Sequence, residues 1–149
     1  MKDFVIIPKV SLNEVLEITI PSIEDVRDLE KNIMRKGEWW WLRSPGHSSS
    51  FTAFVTYCGD TYKPGNYVFC DKITIRPCFS ISLSNLNKGD KVFIENTLCT
   101  VIDKDLVLSD NLICFHIFDK NNNVWETSSL KQYLESKEFL DMIVKGAYI

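Results

Sequence analysis

A run of three consecutive tryptophans at positions 39–41 constrains this 149-residue chain more than any other feature. The run leads directly into a turn sequence, Ser44-Pro45-Gly46. Because one tryptophan side chain buries roughly 200 Å², a run of this kind normally anchors a hydrophobic core. The sequence therefore predicts Trp40 and Trp41 as core anchors. A stacking platform for a sugar or a nucleic-acid base is the alternative.

The tryptophan run and the residues that follow it are predicted to begin a strand, with side chains on both of its faces. Alternation would place Trp39, Trp41 and Arg43 on one face, with Trp40 and Leu42 on the other. Trp39 and Arg43 would then share the face of Trp41.

The rest of the chain combines many short strands with two helices. Ser22 followed by Asp25 indicates a helix start, and apolar spacing continues this helix over residues 22–36. A second helix is predicted over 127–143, with Ser136 as a candidate interruption. Strand-like segments fill most of the remainder, and turn residues separate them at 87–90. This pattern predicts an α+β fold, because no alternation of strand and helix suggests a parallel sheet.

Charge and composition argue against one class of function, direct nucleic-acid binding. Hydrophobic residues make up 45% of the chain, which is typical of a globular domain. The net charge is −3, with +1 carried by residues 1–89 and −4 by residues 90–149. Direct nucleic-acid binding is not expected, because there is no basic excess to neutralise phosphates. The more acidic second part would favour a basic partner surface.

The cysteines and apolar segments bear on the compartment. The five cysteines form no CxxC pair, and their odd number argues against a disulfide scaffold. No segment reads as a signal peptide or as a membrane span. We therefore expect reduced, functionally idle thiols in a cytoplasmic protein without a membrane partner.

No motif for catalysis, metal binding or cofactor binding is recognisable. His47 lies beside three serines, yet nucleophilic catalysis needs an oriented base and acid, and the only other histidine is His116. Zinc sites need three or four converging ligands, and no such spacing occurs. The expectation is a non-enzyme with no cofactor.

Four segments carry a family resemblance. They are Ile20-Pro-Ser-Ile-Glu-Asp-Val26, Trp40-Trp-Leu-Arg-Ser-Pro-Gly46, Phe54-Val55 with Gly59, and Ile75-Arg-Pro-Cys-Phe-Ser-Ile81. Together they resemble an uncharacterised domain of Firmicutes and their phages and mobile elements, with a WLRSPG motif and a later Arg-Pro strand. This domain is similar in layout to the formylglycine-generating-enzyme branch of the C-type-lectin-like fold. The similarity covers about residues 18–83.

The resemblance implies a fold in two modules. Residues 1–88 would form a C-type-lectin-like core of short antiparallel strands with one helix. Residues 89–149 would form a small β-meander ending in a C-terminal helix, packed with the first module as one compact unit. The formylglycine enzymes hold copper through a thiol pair. Cys70 and Cys78 are the nearest candidates here, but their spacing fits no motif.

Two groups of residues have predicted roles. Those predicted to be structural are Trp40, Trp41, Arg43, Arg76 and Trp125. Those predicted to contribute to binding are Trp39, His47, Phe51, Tyr62, Glu135 and Glu138. Arg43 and Arg76 each have two interpretations. In one, the guanidinium donates to loop carbonyls or to one acidic partner; in the other, it binds an anion or a carboxylate.

The function expected from these observations is binding. The leading hypothesis is a small protein-binding module encoded by a phage or mobile element, with a host or phage protein as its partner. A more specific version of this hypothesis is an inhibitor of host defence of the anti-CRISPR kind. A lectin-like domain that binds a glycan or small ligand through Trp39 or Tyr62 is the first alternative. An enzyme related to the formylglycine-generating oxidases is the second, and the lack of a defensible thiol pair argues against it.

Overall fold

The protein has a mixed α+β structure made mostly of short strands. A computed structural model describes residues 6–83 and 85–149. Within these ranges the strands are β1 (Lys9–Val10), β2 (Glu17–Thr19), β3 (Trp40–Pro45), β4 (Phe51–Val55), β5 (Thr61–Tyr67), β6 (Thr74–Ile75), β7 (Cys78–Ser80), β8 (Lys91–Ile94), β9 (Thr97–Asp103), β10 (Leu106–Ser109) and β11 (Cys114–Phe115). The helices in the same ranges are α1 (Ile23–Val26), α2 (Lys31–Met34), α3 (Ser129–Leu134) and α4 (Lys137–Lys145).

The described strands form two sheets. One has the order β1-β8-β9-β10-β7-β2, and the other has the order β11-β6-β3-β4-β5. The pairings β1–β8 and β3–β6 are parallel and the others are antiparallel. Strands from both sides of the turn at 87–90 occur in each sheet, because β7 pairs with β10 and β6 pairs with β11.

Strand β3 separates two hydrophobic cores. Trp41 lies in the larger core, with Trp39 packed against its edge, whereas Trp40 and Leu42 lie in a smaller one. Trp40 and Trp41 are both fully buried. The alternation predicted for these four residues is therefore confirmed, and both faces of the strand are covered.

A buried arginine closes the smaller core. The Arg76 guanidinium donates from Nε to the Ser109 carbonyl at 2.7 Å and from Nη1 to the Ile33 carbonyl at 2.8 Å. Its central carbon lies 4.7 Å from the centroid of the Trp40 ring, a cation–π distance. Burial lowers the pKa of Arg76 to about 10, so the group stays charged at neutral pH. Arg76 thus links α2, the end of β10 and the tryptophan run.

The helix predicted over 22–36 is wrong as a single element, because the chain forms α1 and α2 with a turn between them. The predicted start is confirmed: Ser22 and Asp25 cap each other's backbone N–H groups reciprocally. The break comes before Glu30, whose backbone is extended. Leu29, in the turn, packs against two separate groups of buried residues. Tertiary packing of Leu29 therefore outweighs helix continuation, which gains little in so short a segment.

The C-terminal helix is interrupted at Ser136. The Ser136 side chain accepts a hydrogen bond from the Phe139 backbone and so caps α4. Leu130 and Leu134 are fully buried in the larger core, and Tyr133 packs at its margin. These three side chains therefore form an apolar face that covers the core.

No helix within residues 6–83 and 85–149 combines the length and the apolar character needed to cross a membrane.

Candidate functional site

Four aromatic side chains form a continuous row beside the five-stranded sheet. The ring centroids of His47 and Phe51 are 4.1 Å apart, those of Phe51 and Tyr67 are 4.4 Å apart, and those of Tyr67 and Phe69 are 5.1 Å apart. His47 is exposed, and Tyr67 and Phe69 are 48% and 56% exposed. We call these four residues the aromatic row.

Strand register brings the row together. Phe51 at the start of β4 is directly opposite Tyr67 at the end of β5. Cross-strand aromatic pairs of this kind stabilise a sheet. Strand β5 is at the edge of its sheet, so one side of the row faces solvent.

Only half of the row was predicted from the sequence. His47 and Phe51 were expected to contribute to binding, and the structure places them in contact. Tyr67 and Phe69 were missed. The sequence feature that could have identified these two residues is the strand-like alternation of Tyr67-Val68-Phe69. In the structure Val68 is fully buried, and both of its neighbours are exposed.

Two glycines hold the loop that carries His47 close to β5. A Cβ atom on Gly46 would collide with the Pro64 carbonyl oxygen, and one on Gly65 would collide with the Thr52 carbonyl. Gly65 also has φ +86°, a conformation that residues with a Cβ rarely adopt. The His47 backbone N–H then donates to the Pro64 carbonyl at 2.9 Å. The backbone under the row is therefore fixed by close contact.

Asn123 fastens the same loop from the second part of the chain. Its side-chain Nδ2 donates to the Ser48 carbonyl at 3.0 Å and to the Phe51 carbonyl at 2.9 Å. Its backbone N–H donates to the Ser49 carbonyl at 2.9 Å. The row is thus built by the first part of the chain and braced by the second.

Asp119 organises the loop that presents Asn123. Its carboxylate accepts hydrogen bonds from the backbone N–H groups of Asn121, Asn122 and Ser129 and from the Ser129 hydroxyl, each at 3.0 Å. Partial burial acts to raise the pKa of Asp119, but these hydrogen bonds outweigh it and lower the pKa to about 2. The ionised carboxylate is therefore part of the loop's structure.

A second aromatic region surrounds Trp39. A cavity of about 350 Å³ is lined by Gly37, Glu38, Trp39, Tyr57, Lys72 and Phe115. Trp39 also contacts Phe54, which contacts Tyr62, with centroid distances of 5.1 and 5.5 Å. The structure thus connects the predicted residues Trp39 and Tyr62 through Phe54. Tyr57 and Phe115 were not predicted.

Arg43 makes the contacts of the first interpretation given for it, in which loop carbonyls or one acidic partner satisfy its guanidinium. Its Nη1 donates to the Ile20 carbonyl at 2.6 Å and to the Asp25 carboxylate at 2.9 Å. Asp25 also accepts from the Ser22 backbone, so the capping residues of α1 hold this arginine.

The remaining predicted residues lie in the C-terminal segment. Trp125 packs on Phe118 with a centroid distance of 5.8 Å and borders the larger core. Glu135 and Glu138 are exposed, at the break before α4 and in its first turn. No hydrogen bond or ion pair found in residues 6–83 and 85–149 connects either glutamate to the aromatic row.

The cysteines are all free thiols. Cys78 and Cys99 are buried, and burial raises the pKa of both, so these thiols stay protonated at neutral pH. Cys70 is half-buried and forms no bridge to Cys78. In the part of the chain that the structure describes, no three His, Cys, Asp or Glu side chains are grouped to hold a metal ion.

The fold and these contacts define a mixed α+β protein with an aromatic surface on an edge strand. Residues 19–83 match a protein family described as a domain of unknown function, DUF6273. The matched span contains β3 to β7 and the two short helices, and it covers less than half of the chain. No curated protein and no solved structure matches this chain significantly.

Proposed function

We propose that the protein is a non-enzymatic binding module that recognises another protein through the aromatic row. The observation that carries this proposal is the contact series from His47 through Phe51 and Tyr67 to Phe69, whose last two rings are half exposed. Adjoining exposed aromatics on one surface are typical of protein interaction sites.

Rigidity supports a binding role for this surface. The rings contact one another, and Asn123, Gly46 and Gly65 fix the backbone beneath them. Tyrosine and phenylalanine side chains lose little conformational entropy when they are bound, and aromatic residues are enriched at protein interfaces. A partner would therefore meet a surface that needs little ordering.

The family resemblance suggests the biological setting. On that basis we propose a cytoplasmic protein of a phage or mobile element of Firmicutes, with a C-type-lectin-like layout and a host or phage protein as its partner. Inhibition of a host defence protein is the most specific version of this proposal. The WLRSPG and Arg-Pro segments support the family resemblance on which this setting rests.

A comparison of variants in a pull-down tests the aromatic row. The tagged protein, its Tyr67→Ser/Phe69→Ser variant and a Tyr148→Ser control would be used to capture proteins from a host lysate. Tyr148 is 60% exposed and belongs to the C-terminal tail, so it matches the exposure of the substituted residues. We expect the row variant to lose the captured protein while its thermal midpoint falls by no more than a few degrees, because a cross-strand aromatic pair contributes up to about 1 kcal/mol. Equal capture by all three proteins would rule out the row as the contact surface.

A second candidate function is binding of a glycan or small ligand at the Trp39 cavity. Three aromatic side chains, Trp39, Tyr57 and Phe115, line it together with Glu38 and Lys72. Aromatic faces can stack on a sugar ring, and the two charged groups can hydrogen-bond to its hydroxyls. A glycan array probed with the natural protein and with Tyr57→Ala tests this function. A glycan retained equally by both proteins would argue against the cavity.

A further inference from the structure

A surface cavity lies between the end of β3 and the loop at 123–126. Its volume is about 410 Å³, and its lining includes Ser22, Arg43 and Ser44 on one side and Trp125 and Glu126 on the other. It is therefore built by segments that are distant in sequence.

Arg43 lines this cavity, and one edge of its guanidinium is not used by any described residue. Only Nη1 makes hydrogen bonds, to the Ile20 carbonyl and to Asp25. Within residues 6–83 and 85–149, Nε and Nη2 have no acceptor, and the side chain is 32% exposed. The Nε and Nη2 groups form the parallel pair of donors that fits the two oxygens of a carboxylate. The interaction with Asp25 meanwhile holds the guanidinium in place.

Two hydroxyl groups add further donors. The Ser22 oxygen accepts from the Asp25 backbone N–H at 3.1 Å, and the Ser44 oxygen accepts from the Ile23 backbone N–H at 2.9 Å. Since each oxygen already acts as an acceptor in these bonds, each hydroxyl keeps its proton for another partner.

Trp125 adds an indole N–H and an apolar wall. The indole N–H groups of Trp40 and Trp41 donate to the carbonyls of Met34 and His116. The Trp125 indole N–H has no acceptor in the part of the chain that the structure describes. The cavity lining thus supplies free donors from Arg43, the two hydroxyls and Trp125, next to an aromatic ring.

We propose that this cavity binds a carboxylate attached to an apolar group, with the free edge of Arg43 as its main contact. Glu126 at the cavity and Asp25, which is paired with Arg43, are negative, so they disfavour a doubly charged phosphate more than a singly charged carboxylate. The carboxylate belongs to the C-terminus of a peptide or to an acidic side chain. This proposal is independent of protein binding at the aromatic row.

NMR titration of the ¹⁵N-labelled protein tests the site. The Trp125 indole resonance is identified from the spectrum of Trp125→Phe. The probes are N-acetyl-phenylalanine, its neutral amide N-acetyl-phenylalaninamide, N-acetyl-glutamic acid α-amide and phenyl phosphate. We expect a saturable shift of the Trp125 resonance with one of the two carboxylates and none with the neutral amide. The carboxylate that binds more tightly distinguishes a main-chain terminus from an acidic side chain.

Two variants assign the interaction to the cavity. Arg43→Lys keeps the charge but loses the paired donors, and we expect about tenfold weaker binding, equivalent to one charged hydrogen bond. Glu126→Gln removes an exposed negative charge, and we expect binding to strengthen about two- to fivefold. Glu126 makes no ion pair with the described residues, so this second variant remains informative if Arg43→Lys fails to fold. The proposal is overturned if neither carboxylate shifts Trp125, if the amide or phenyl phosphate binds as well, or if Glu126→Gln leaves the affinity unchanged.

Discussion

Trp40 and Trp41 are neighbours in the chain, and their side chains lie in different hydrophobic cores on opposite faces of β3. Each indole N–H reaches a carbonyl of a distant segment, Met34 for Trp40 and His116 for Trp41. Two adjacent residues therefore attach one strand to both the helical turn region and the C-terminal part of the chain. This arrangement explains why the tryptophan run constrains the whole fold.

Replacing either tryptophan should cause a large loss of stability. We expect Trp41→Ala and Trp40→Ala each to lower the free energy of unfolding by about 3–5 kcal/mol, because each leaves a large cavity and an unpaired carbonyl. Urea denaturation measures this change, with Trp39→Ala, a half-buried neighbour, as the control with a smaller effect. A loss of about 1 kcal/mol would shift the thermal midpoint by more than about 2 °C. If Trp41→Ala keeps its thermal midpoint within about 2 °C but loses binding, Trp41 is instead part of a surface platform.

The sequence was informative where a local pattern decides the outcome. The alternation of Trp39 to Leu42, the cap formed by Ser22 and Asp25, and the interruption at Ser136 each depend on residues close in the chain. The break between α1 and α2 could not be predicted in this way, because it depends on how Leu29 packs against distant residues.

The candidate sites were harder to predict for the same reason. The sequence identified His47 and Phe51 as binding residues, but their contact with Tyr67 depends on the β4–β5 register. The cavity at Arg43 includes Trp125, more than 80 residues later in the chain, and no spacing rule connects them. Such sites are defined by tertiary contacts and become visible only in the folded chain.

The hydrogen bonds to Asp119 should make stability depend on acidic pH. The folded-state pKa, about 2, is below the ordinary value of 3.8, so the folded protein favours the ionised carboxylate. The resulting stabilisation is fully present above about pH 5 and is lost as pH falls toward 2. We expect Asp119→Asn to be about 1 kcal/mol less stable at neutral pH.

The measurement is urea denaturation of the natural protein and of Asp119→Asn between pH 5 and pH 2. The dependence of unfolding free energy on pH should be shallower for the variant, by up to about one proton in this interval. Asp103→Asn is a suitable control, because Asp103 is exposed and accepts one hydrogen bond, from the adjacent Lys104 backbone N–H. Parallel curves for the natural protein and Asp119→Asn would show that the loop does not depend on the charge.

Charge on the C-terminal segment should affect how fast the protein meets a basic partner. Residues 90–149 carry a net charge of −4, and Glu135 and Glu138 are exposed there. Charges at the rim of an interface act mainly on the association rate, and salt screens them. We expect Glu135→Lys/Glu138→Lys to slow association with the captured partner and to reduce its dependence on salt, with the dissociation rate little changed.

The control must alter net charge equally at another place. Each substitution of glutamate by lysine adds +2, so the double variant changes the net charge from −3 to +1. Asp28→Lys/Glu30→Lys makes the same change at exposed positions between α1 and α2.

Stopped-flow or surface-based kinetics over a range of salt concentrations compares the two variants. Slower association for the C-terminal pair alone would assign the effect to that segment, because total charge is matched. Equal rates for both variants and the natural protein at every salt concentration would exclude the acidic segment from partner recognition.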